Sequence, residues 1–67
     1  MTTYRVLFDT RNHKRACSTS FVVSARSQHE AESMATRLLR QCGQNPLHFK
    51  APKTRPLTTQ ELLAMAG

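Results

Sequence analysis

Glycine is almost missing from this chain: Gly43 and Gly67 are the only two in 67 residues. A glycine-rich loop that cradles phosphates is therefore excluded, and so is a Gly-x-Ser-x-Gly nucleophile elbow. There is no tryptophan, one tyrosine and three phenylalanines. The core must be mostly aliphatic, and the few rings read as buried, which leaves no aromatic platform for stacking bases. No run approaches the roughly 20 apolar residues of a membrane span. The amino terminus enters an alternating pattern directly, without the basic and apolar regions of a secretory leader. The two cysteines, Cys17 and Cys42, fall in different predicted elements with no Cys-x-x-Cys spacing. They read as reduced, small core residues of a cytoplasmic protein rather than a disulfide or a zinc site.

Acidic side chains are also scarce: four, against ten Lys and Arg, for a formal net charge of +6. A field of that sign favours phosphate backbones, anionic surfaces or acidic protein patches. The four acids offer no convergent pair for acid–base work. Glu30 and Glu61 sit at capping positions, Glu32 flanks a helix, and Asp9 ends a strand where Arg11 or Arg15 would pair with it. His13, His29 and His48 fall in separate elements, so neither a ribonuclease-type pocket nor a metal site assembles from them. The sequence therefore points away from an enzyme and implies no cofactor or metal.

A chain of this length forms one small domain that buries only about 60% of its unfolded surface. Tyr4, Val6 and Phe8 alternate with Arg5, Leu7 and Asp9, the period-two signature of a half-buried strand. The polar stretch 10–15 reads as a hairpin loop. A second strand follows from Cys17 to Ala25, with Thr19, Phe21, Val23 and Ala25 on one face and Ser18, Ser20, Val22 and Ser24 on the other.

Ser27 and Glu30 then form a capping box for a helix over about 28–42. Ala31, Met34, Ala35, Leu38, Leu39 and Cys42 make its apolar stripe, and Gly43 stops it. Leu47 to Lys50 are placed as a short third strand, and 51–56, with two prolines, as an exposed linker. Thr58 and Glu61 form a second capping box for a short terminal helix. The expected architecture is an α+β fold of ββαβα order. Residues 1–50 form the core domain and 51–67 an extended Pro/Lys/Arg segment with a short C-terminal helix.

The run Phe21-Val22-Val23-Ser24-Ala25-Arg26-Ser27, followed by Glu30-Ala31 and Ala35, resembles a pattern of small phage and prophage accessory proteins. In these a hairpin leads into a capped, alanine-containing helix and a returning strand. Size and layout are also similar to small phage inhibitors of bacterial RNA polymerase. The resemblance covers about residues 4–50 and transfers no site residues. It implies a non-enzymatic role in phage or host nucleic-acid metabolism.

Two kinds of surface remain as candidates. The cations Arg11, Lys14 and Arg15 crowd the hairpin loop, Arg37 and Arg40 lie on the outer helix face, and Lys50, Lys53 and Arg55 follow the helix. If loop and extended segment share an edge, they make a phosphate-tracking surface for nucleic acid, electrostatic and with little sequence reading. The helix covers only one sheet face, so Leu7 and Val22 point to the other. There Leu57, Leu62, Leu63 and Met65 fold back over them, a second molecule covers them, or the terminal helix frays. That patch suits an adaptor or inhibitor docking on a host protein with an acidic surface, and it is compatible with a homodimer.

Overall fold

The computed structural model describes residues 1–11 and 17–66. The elements are β1 (Thr2–Asp9), β2 (Ser18–Ala25), α1 (Gln28–Gln41), a 3-10 turn (Pro46–His48), β3 (Lys53–Pro56) and α2 (Thr59–Ala66). This is the expected α+β fold in ββαβα order. β1 is the central strand and pairs antiparallel with β2 on one side and β3 on the other.

The alternation along β1 and β2 becomes the two faces of the sheet. Val6 sits opposite Phe21 and Tyr4 opposite Val23, and these positions face α1. The core is Val6, Phe8, Val23, Ala25, Ala31, Ala35, Leu39 and Phe49, all buried. Phe8 is its centre: Phe21 and Phe49 both meet it edge-on, with ring centroids 6.1 Å away. Ala25, Ala31 and Ala35 are fully buried small side chains, and they let the helix backbone come close to the sheet.

The start of α1 carries the Ser27 half of the expected capping box, and its end carries the expected stop. Ser27 Oγ accepts the Glu30 N–H at 3.2 Å. At the other end Gly43 takes φ +83°, the Gln44 N–H reaches the Leu39 carbonyl at 3.2 Å and the Gly43 N–H the Arg40 carbonyl at 2.9 Å. These are the two bonds of a Schellman stop. The apolar stripe is narrower than its sequence pattern: Met34 is 37% exposed and Cys42 lies at the surface. Cys17 is exposed as well, so neither cysteine is a core residue; both are free thiols.

The third strand lies elsewhere than at Leu47–Lys50. Pro46 opens a 3-10 turn whose cap, Asn45, accepts the Leu47 N–H through Oδ1 at 3.0 Å. Leu47 is thereby left exposed and only Phe49 bridges the sheet, opposite Thr10. The strand is formed by residues 53–56, within the stretch expected as a linker. Between the Thr10–Phe49 and Leu7–Lys53 pairings the chain entering β3 has one residue more than β1, a bulge that holds Pro52. Pro56 ends the strand. Both prolines are tolerated because β3 is an edge strand.

Candidate nucleic-acid interface

Because α1 covers one face of the sheet, the other is built from Thr3, Arg5, Leu7 and Asp9 of β1, the serines and Val22 of β2, and Lys53 and Arg55 of β3. The register puts Arg5 between Val22 and Arg55, and Leu7 between Ser20 and Lys53. Hydroxyls occupy much of the β2 side: Ser18 donates to Asp9 Oδ1 at 2.7 Å, and Ser24 Oγ lies 3.5 Å from Thr3 Oγ1. Asp9 is thus engaged by Ser18 rather than by Arg11. Arg11 instead donates through Nε to the Phe49 carbonyl at 2.9 Å, which leaves both terminal guanidinium nitrogens without a partner among the described residues.

The Lys50 N–H donates to the Asp9 carbonyl at 2.8 Å, so Lys50 lies beside the end of β1 from which Arg11 follows. Lys50, Lys53 and Arg55 therefore run along the β1–β3 side from the Arg11 end. Arg5, absent from the candidate set that the sequence suggests, joins them from the central strand. Arg5, Leu7, Lys53, Thr54 and Arg55 together line a shallow cleft of about 390 Å³.

One cation of this row is committed. Arg55 Nη1 donates to Glu61 Oε1 at 2.8 Å and Nη2 to Oε2 at 2.7 Å. The same carboxylate closes the capping box of α2: it accepts the Thr58 N–H at 3.3 Å, while Thr58 Oγ1 accepts the Glu61 N–H at 3.2 Å. Hydrogen bonds from Arg55, and next the Thr58 amide, hold the Glu61 carboxyl at about 2, well below its ordinary 4.5. Glu61 in turn raises the already high pKa of Arg55. It is the one ion pair among the described residues.

The other expected site residues separate. Arg37 and Arg40 are exposed on α1, across the sheet from Arg5, Lys53 and Arg55, and cannot share a phosphate track with them. Lys14 and Arg15 lie outside the described residues. Of the apolar set, Val22 and Met65 line one cleft of about 400 Å³ together with Arg5, Ser20, Leu57, Glu61 and Ala64. Leu7 lies in the neighbouring cleft under Lys53 and Arg55. Leu62 and Leu63 stay 39% and 68% exposed. The terminal helix therefore turns back over the second face without sealing it.

Among the described residues no cluster of His, Cys, Asp and Glu could hold a metal ion, and no helix is long and apolar enough to cross a membrane. Three of the four carboxylates have structural partners: Ser18 for Asp9, Thr54 Oγ1 at 3.1 Å for Glu32, Arg55 for Glu61. No family model, curated protein sequence or solved structure matches this chain.

Proposed function

We propose that this chain is a small, basic, non-enzymatic module that contacts nucleic acid electrostatically in phage or prophage biology. One observation carries the reading: Arg5, Lys53 and Arg55 share the face that α1 leaves open, with Lys50 next along the chain beside the Asp9 end of β1, and the carboxylates there among the described residues, Asp9 and Glu61, are already hydrogen-bonded. A row of cations beside a hydroxyl-bearing sheet suits a phosphate backbone, which accepts from both. With Phe8 and Phe49 buried and Phe21 and Tyr4 packed against the core, the phenylalanine and tyrosine rings are not offered for stacking. Binding is then insensitive to sequence and steeply dependent on salt.

The test is fluorescence anisotropy with labelled single- and double-stranded oligonucleotides across a salt series. Affinity that falls linearly on a log–log plot supports the reading. Absence of binding at low salt sinks it.

A second reading, an adaptor or inhibitor on a host protein with an acidic surface, draws on the cleft between Val22 and Met65 and the exposed Leu63 beside it. Pull-down from nuclease-treated bacterial lysate separates the two. A stoichiometric protein partner that survives nuclease favours the adaptor.

A further inference from the structure

Arg5 and Arg55 stand directly opposite one another in the β1–β3 register, so their side chains leave the same face of the sheet. Like charges in that relation repel, and an anion between or beside them relieves the repulsion. In this chain the anion is Glu61. Its carboxylate takes both arms of the Arg55 fork and lines the same cleft as Arg5. Arg5 also lines the neighbouring cleft with Lys53 and Arg55, and it has no ion-pair partner among the described residues.

The element that delivers Glu61 is weakly anchored. α2 has eight residues, too few to persist in water without docking. Its Leu63 and Met65 remain largely exposed, and Leu62 partly so. Its ties to the rest of the molecule are the Arg55 fork and the lead-in bond from the Leu57 N–H to the Thr3 carbonyl at 2.9 Å. A planar guanidinium binds carboxylate and phosphate with the same two-pronged geometry.

We infer that Arg5 and Arg55 form a phosphodiester-binding pair and that Glu61 is an internal competitor for it, a carboxylate latch that a nucleic-acid strand displaces together with α2. The inference rests on the nucleic-acid reading above and adds to it a place and a control: Arg5 joins the site, and the terminal helix sets its affinity.

Glu61→Gln tests this, because it removes the competing charge while the core, which contains no α2 residue, is left intact. Glu30→Gln, on α1, is the charge-matched control. With a labelled single-stranded oligonucleotide at about 0.1 M salt, Glu61→Gln binds about fivefold tighter than wild type and with a salt slope steeper by about 0.7, the signature of one added phosphate contact. Glu30→Gln gives no comparable gain. Adding Arg5→Ala to Glu61→Gln cancels the improvement. Equal gains in the two Gln variants, or no gain in Glu61→Gln, overturn the latch and leave electrostatic binding standing. Failure of both wild type and Glu61→Gln to bind at low salt overturns the latch and the binding reading together.

Discussion

Arg55 and Glu61 are joined at both prongs, 2.8 and 2.7 Å, by a guanidinium on the edge strand and a carboxylate in the first turn of the terminal helix. The contact gives Glu61 two tasks, closing the cap of α2 and tethering α2 to the sheet. The tether requires the carboxylate to be ionised, and the cap is strengthened by that charge.

Acid should therefore release α2 before it unfolds the core. Glu61 has its pKa depressed in the folded chain, from 4.5 to about 2, so its contribution is complete above about 4.5 and is lost as pH falls through about 2. The side-chain carboxyl signal of Glu61, followed by NMR, should titrate near 2. Residues 59–65 should lose helical shifts over the same range, while Val6 and Leu39 keep theirs. Because Arg55 is half exposed, added salt should loosen the tether as well. A Glu61 midpoint near 4.5 would show the fork is not held in solution.

Gly43 is the position where backbone conformation alone decides the outcome. Its φ of +83° disfavours any L side chain, yet a Cβ there would meet nothing within 4 Å. Gly43→Ala should lower stability by about 1–2 kcal/mol through the backbone term only. Gly43→Asn should cost less, since asparagine tolerates this region. Chemical denaturation of both variants reads the difference, and equal losses would count against a purely conformational cause.

Leu39 is fully buried in the helix–sheet interface, whereas Met34 on the neighbouring turn is 37% exposed. Leu39→Ala should cost about 2–5 kcal/mol, a large part of the stability of a small domain. Met34→Ala should cost much less. Thermal melts that rank them in the opposite order would contradict the observed packing.

The cations should divide by face in a binding assay. Lys50→Ala and Lys53→Ala should each weaken oligonucleotide binding and lower the salt slope by about 1. Arg37→Ala and Arg40→Ala, which remove the same charge from the far side, should leave the slope almost unchanged. Similar effects from all four would mean that net charge, not the β1–β3 row, attracts the ligand.

Most of what depends on a few neighbouring residues was legible in the sequence, the Asn45-capped turn at Pro46–His48, expected as a strand, being the exception. Alternation along 4–9 and 18–25 specified which side chains face inward, Ser27 and Thr58 marked two helix starts, and Gly43 marked a stop. Each is a contact closed within one turn or one strand pair, so residue type and spacing suffice. The sequence also named Lys50, Lys53 and Arg55 and required an uncovered face behind Leu7 and Val22.

Tertiary pairing decided the rest. Pro52 and Pro56 made 51–56 look like a linker, because proline interrupts a ladder. Only the position of β3 at the sheet edge, with Pro52 in a bulge, makes the strand possible. Arg5 joined the candidate site for the same reason: its neighbour across the sheet is Arg55, fifty residues later, and no local spacing encodes that pairing. The packing of α1 likewise removed Arg37 and Arg40 from the face that Arg5, Lys53 and Arg55 share. The sequence by itself determined β1, β2, the two helices and the excess of positive charge, since these follow from short-range sterics and composition. Which cations stand together, and which carboxylate answers them, was settled by strand register, a long-range choice made when the whole core packs.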